Sequence, residues 1–199
     1  MIAGPSEIGV IADDSANPVH LAADLLSQAE HDPRARAIMV TTSESLANSV
    51  SDEVERQLSQ LPRESIARPA IENNSYIAVM DSVEDMFTVM NEVAPEHLEI
   101  QLPDPMEYMS MVENAGSVFL GRYASEPLGD YVGGTNHVLP TSGTAKFSSP
   151  LGVYDFVKRI SFTQFSRERL QRVAKDITTL ARTEGLEAHA RAIEVRFEK

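Results

Sequence analysis

IGVIADDSANPVHLAADLLSQAEHDPRARAIMVTT, residues 8–42, decides the fold. Ile8 to Ala12 is a short apolar run with the length of a buried strand. Asn17 then stands as a helix cap, with Pro18 as the first helical residue, where its missing N–H leaves nothing unpaired. Leu21, Ala22, Leu25, Leu26 and Ala29 form an apolar stripe, and Ala37 to Thr42 reads as a strand again. Two strands joined through a helix are the unit of a parallel sheet, because parallel neighbours need a crossover connection.

Working outward, Ser43 to Leu61 reads as a second helix, Tyr76 to Met80 as a strand and Val83 to Val93 as a helix. Ser82 and Asp85 resemble a capping box before that helix, with Asp in the place of the usual Glu. Leu98 to Gln101 is another strand, Asp104 and Pro105 start a helix that Gly116 ends, and Ser117 to Leu120 leads into a glycine-rich stretch. The expectation is an α/β fold, a parallel sheet with flanking helices followed by an α-helical carboxy-terminal tail. The tail begins near Ser149, since Leu151 to Arg159, Arg167 to Glu184 and Leu186 to Phe197 all carry helical periodicity, with Gly185 as a break. This divides the chain into an α/β domain, 1–148, carrying the candidate sites, and a helical tail, 149–199. Neither internal repeats nor low-complexity segments occur.

With 17 basic against 30 acidic residues the net charge is −13, spread along the chain, which argues against nucleic acid or an anionic membrane as partner. Small molecules or proteins are the expected partners. The chain contains no cysteine, so a metal would have to be held by His, Asp, Glu, Asn or Gln, and a cytoplasmic setting is compatible. The amino terminus has no basic residue ahead of its apolar stretch and does not read as a secretion signal. No run is long enough to span a bilayer.

Gly129 to Thr141, GDYVGGTNHVLPT, places Asp130 and His137 among glycines in a stretch that does not read as an ordinary helix. Six of the chain's 10 glycines lie between residues 116 and 143, so backbone freedom is concentrated beside these two groups. Read alone, the stretch is a long surface loop or a glycine-bent hairpin rather than a site. On the first helix Asp24, Gln28 and His31 lie on one flank of the apolar stripe, so Gln28 and His31 could meet one ion, or simply cap and solvate the helix end. Glu96 and His97, in APEHLEI, put an acid and a base side by side at a helix–strand junction, a pair suited to proton transfer or to ordinary solvation. Both precede their strand, whereas ligands of open α/β sheets bind outside the carboxyl ends. Glu184 and His189 flank Gly185 in the tail; His189, like His20, also reads as a plain helical histidine.

These segments together, AGPSEIGVIAD, DLLSQAEHD, APEHLEI, GSVFLG, GDYVGGTNHVLPT, SSPLGVYDF and EGLEAHARAIEVR, closely resemble the histidinol dehydrogenase family over nearly the whole chain and in the family's order. The resemblance implies a partial Rossmann-like sheet and oxidation of L-histidinol through the aldehyde to L-histidine with NAD, the last step of histidine biosynthesis. It implies Zn²⁺ held by Gln28, His31, Asp130 and His189, with Glu96 and His97 as the catalytic pair. Ser6, His137 and Glu184 would contact substrate, as would His97 and the zinc ligands. It also implies a homodimer in which the tail crosses to the partner. Members of the family are longer, and the likeness starts where their second half does, so the expectation is a fragment inactive alone, with most NAD contacts outside it. No GxGxxG fingerprint is present. Gly9 stands where the family usually has a larger apolar residue and is expected to weaken the first strand. Two alternatives stay open: a zinc-dependent hydrolase using Glu96, and a non-catalytic zinc- or histidinol-binding half-protein.

Overall fold

The computed structural model describes residues 2–198 and separates into two compact units, Met1–Phe156 and Val157–Lys199. In the first unit, strand β1 (Glu7–Ala12), helix α1 (Pro18–Ala29) and strand β2 (Arg36–Thr41) form the expected start of a parallel sheet. The Asn17 side chain accepts the Val19 N–H, and Pro18 opens α1. Helix α2 (Glu44–Leu58) is capped by the Ser43 hydroxyl. It stops short of Leu61, and a separate helix α3 (Glu64–Asn74) follows, which the sequence pattern did not reveal. Pro69 inside α3 removes one backbone donor, and the helix is held instead by burial of Ala67 and Ala70 and by Arg68 reaching Glu64, Glu72 and Glu55.

Strand β3 (Tyr76–Val79), helix α4 (Val83–Val93), strand β4 (His97–Gln101) and strand β5 (Ser117–Leu120) complete an all-parallel sheet of order β3-β2-β1-β4-β5. The Ser82 hydroxyl both accepts the Asp85 N–H and donates to the Asp85 carboxylate, so the expected box is present in modified form. The helix expected from Pro105 to Gly116 is a 3-10 helix ending at Met111; Asp104 enters it with φ +48° and Val112 leaves it extended. The first residues of the glycine stretch do form a helix, α5 (Glu126–Tyr131), contrary to the loop reading. Gly134, with φ +79°, follows it.

Ile8, Val10 and Met39 pack under α1, α2 and α3 on one face of the sheet. Ile11, Ile38, Leu98 and Ile100 pack against Met86, Phe87 and Met90 of α4 on the other. A groove of about 480 Å³ beside β3 and α2 is lined chiefly by apolar residues such as Leu25, Val54 and Ile77.

The second unit holds helix α6 (Arg167–Thr183) and helix α7 (Glu187–Glu194), joined at Gly185 with φ +75°. Leu186 returns its N–H to the Ala181 carbonyl, closing the α6 end. The helix expected over Leu151 to Arg159 is reduced to one 3-10 turn, Val153–Phe156. Val153, Tyr154 and Phe156 are all exposed there, so no burial supports further turns. No helix among the described residues is long and apolar enough to cross a membrane.

Candidate active site and metal centre

Strand β4 alternates His97, Glu99 and Gln101 with Leu98 and Ile100, and all five residues are buried. Its register with β1 sets Ile8 opposite His97, Val10 opposite Glu99 and Ala12 opposite Gln101. The polar face of β4 therefore shares the side of the sheet on which α1 packs. A buried polar face on a central strand must find partners, and these come from α1, α5 and the start of β1.

His97 Nδ1 lies 3.0 Å from the Glu7 carbonyl oxygen. A carbonyl only accepts, so this nitrogen carries the hydrogen and the Nε2 lone pair is free. Facing Nε2 are Glu126 Oε1 at 3.5 Å and Asp130 Oδ1 at 4.0 Å. Ligand atoms of His97, Glu126 and Asp130 all fall within 4.8 Å of one another. His97 Nε2, Glu126 Oε1 and both amide atoms of Gln28 are buried without a hydrogen-bond partner. Gln28, only 1% exposed, sits near enough to favour the ionised form of Glu126 but makes no bond of normal geometry to it.

On the other side of the imidazole, Glu96 Oε2 accepts the Glu7 N–H at 3.0 Å and lies 3.6 Å from His97 Nδ1. Burial, assisted by the Glu7, Asp130 and Glu126 carboxylates, pushes Glu96 up to about 8, although the Glu7 N–H favours its charged form. Glu126 is pushed up to about 7 by burial and by Asp130. Burial lowers His97, against the opposing pull of the Glu7 carbonyl, and a nearby His31 adds to the lowering. A second acidic pair lies behind: burial and Asp24 raise Glu99 to about 8, and burial raises Asp24 to about 6.

The structure thus gathers Gln28, Glu96, His97 and Asp130 at the amino ends of β1 and β4, with His31 alongside. Ser6 immediately precedes β1 and is half-buried. His137 is exposed on the loop after α5 and does not join the cluster of His97, Glu126 and Asp130. Glu184 closes α6 and His189 lies on α7, both exposed within the second unit. Glu99 and Glu126 were missed by sequence reasoning. Glu99 alternates in phase with His97 along β4, and Glu126 stands one helical turn before Asp130, a spacing that carries meaning only if the glycine stretch opens as a helix.

A cluster of orphaned buried atoms on an imidazole, a carboxylate and an amide, with the Asp130 carboxylate beside them and no thiolate, fits Zn²⁺, which takes such N/O ligands. The turn after β1, Asp13 to Ala16, lacks glycine and carries two acids, so that turn offers no cradle for a dinucleotide pyrophosphate. Fold and site together define an open α/β protein with a buried acid–base and candidate metal centre. The family profile described as histidinol dehydrogenase matches residues 1–197. The chain is 66% identical over 198 residues to the histidinol dehydrogenase of Lactiplantibacillus plantarum, covering 100% of this chain and 46% of the relative. It is 64% identical over 199 residues to that of Streptococcus mutans, covering 100% of this chain and 47% of the relative. A crystal structure of histidinol dehydrogenase from Elizabethkingia anophelis superposes with a TM-score of 0.89 at 43% identity, over 100% of this chain and 46% of that one. The chain belongs to the histidinol dehydrogenase family and spans a little under half the length of these relatives.

Proposed function

We propose that this chain supplies the metal-binding and proton-transfer part of a zinc-containing histidinol dehydrogenase, which oxidises L-histidinol by way of the aldehyde to L-histidine and reduces NAD. The observation that carries this reading is the free Nε2 of His97 facing Glu126 and Asp130, with the buried, unpartnered amide of Gln28 near Glu126. Gln28 and Asp130 would hold zinc together with His31 and His189, and the ion would supply a Lewis-acidic anchor for the amino and imidazole nitrogens of the substrate. Its negative surroundings suit a cationic amino alcohol. Within this reading Ser6, His137 and Glu184 contact substrate. His97 accepts the hydroxyl proton at Nε2, its tautomer fixed by the Glu7 carbonyl. Glu96, anchored by the Glu7 N–H, takes a proton from the water that adds to the aldehyde. After releasing its first proton to solvent, His97 takes the hydroxyl proton of the hydrate as the acid forms, each of the two oxidations consuming one NAD.

The reading also has a cytoplasmic homodimer, each tail bringing Glu184 and His189 to the partner's site, with residues 149–199 acting as the dimer arm. Phe156 and Phe162, 79% and 92% exposed, are apolar surface that a second copy would cover. The test is to mix the chain with the remaining part of the Lactiplantibacillus plantarum relative and supply L-histidinol, NAD and zinc. NADH and histidine should form, and His97→Asn should slow the reaction by about 10²-fold or more. No NADH from any mixture, or an unimpaired His97→Asn, contradicts the reading. Turnover of an ester or amide without nicotinamide would mark hydrolysis instead.

A further inference from the structure

We propose that Glu99 is a positioning residue that holds the ligand-bearing helix α5 in register with the proton-transfer strand β4; this rests on the metal reading above. Helix α5 has six residues, and Ser125 at its cap makes no side-chain bond to it. The unpaired N–H groups of a first helical turn need acceptors, and α5 finds one outside its own segment. The Glu126 N–H donates at 2.9 Å to Oε1 of Glu99, a fully buried side chain on β4. Glu99 is itself held, because its Oε2 accepts the Gln101 amide at 2.9 Å.

This bond links the two halves of the candidate centre. Glu99 lies two residues along β4 from His97 and on the same face. Glu126 lies one helical turn before Asp130, so the bonded N–H sets the height of both carboxylates above the imidazole. The other side-chain tie to Glu126, from Ser27 Oγ, is long at 3.4 Å. Among the described residues α5 makes no other comparable bond to the strand that opens with His97, so without the Glu99 acceptor the spacing of the metal donors loosens.

The proposal is tested with Co²⁺, whose visible absorption reports its ligand geometry. Glu99→Met keeps the volume of the side chain but removes the acceptor; Glu99→Gln keeps an oxygen for the Glu126 N–H. The parent chain and both variants are titrated with Co²⁺ against a chelator, with circular dichroism as the check on folding. Folded Glu99→Met should bind roughly 10–100-fold more weakly, as outer hydrogen-bond partners of metal ligands typically do when lost. Its visible band should change, whereas Glu99→Gln should match the parent in both. Parental affinity and spectrum in folded Glu99→Met overturn the proposal and leave the metal reading standing. Should Glu99→Met fail to fold, Glu99→Gln decides: parental behaviour supports the role of the acceptor, and a loss overturns it. A parent chain that takes up no Co²⁺ overturns the metal reading, and this proposal with it.

Discussion

Gly129 shows how little room the centre leaves. A methyl group there would lie 2.7 Å from Cζ of Phe119, whose ring is tilted against the His97 imidazole at 6.1 Å. Neither the ring nor the short helix can yield without moving a candidate ligand, so Gly129→Ala should cost about 1–3 kcal/mol by overpacking. Denaturant unfolding measures it; an unchanged midpoint would mean the ring moves freely. Gly9 follows the same logic in β1, where a Cβ would meet Met90 Sδ at 2.8 Å and Pro95 Cγ at 2.9 Å, so the space of a larger residue is already filled by its neighbours. At this scale Gln28, His31, Glu96, His97 and Asp130 were weak signals one by one in the sequence, each open to a plain structural reading, and only the family resemblance joined them into one site. Glu99 and Glu126 were not. Their meaning lies in one hydrogen bond between β4 and α5, which no local spacing encodes.

The elements that carry the centre make its stability depend on pH. Glu96, Glu99 and Glu126, on or beside β4 and α5, are raised from 4.5 to about 8, 8 and 7 respectively, chiefly by burial. The folded chain therefore binds more protons than the unfolded chain across that interval, and its stability falls as pH rises. His97, lowered from 6.5 by burial, acts oppositely, but only below about that pH, where the unfolded imidazole is charged. Between pH 6.5 and 8 the carboxyl groups dominate, because the unfolded imidazole becomes increasingly neutral above its ordinary 6.5. Chain stripped of metal by EDTA should lose a few degrees of melting temperature over this window, and Glu96→Gln should flatten part of the slope. A melting temperature that holds or rises from pH 6.5 to 8 would contradict the assigned environment. The elements themselves were largely legible: β1, α1, β2, α4, β5 and α6 follow from caps, Pro18 and apolar periodicity. Helix α3 was hidden because Pro69 breaks the expected pattern and only two alanines are buried, both too small to mark a stripe. The stretch from Leu151 to Arg159 failed in the other sense, since Val153 and Phe156 of its apolar pattern are left exposed.

Across the whole molecule, the parallel order β3-β2-β1-β4-β5 puts the candidate centre at the amino ends of β1 and β4, away from the carboxyl-end crevice usual for open α/β sheets. The burial of Glu96, His97 and Glu99 beside unpartnered atoms is costly for a chain with nothing bound there. A divalent cation would offset that cost by pairing Gln28 and Asp130 and neutralising the surrounding carboxylates. Isothermal titration of the chain with Zn²⁺, beside Gln28→Ala and Asp130→Ala, tests this directly. The account predicts a single saturable site in the parent and a loss of affinity of about tenfold or more in each folded variant. Zinc bound by both variants as tightly as by the parent, or by none of the three, would contradict it.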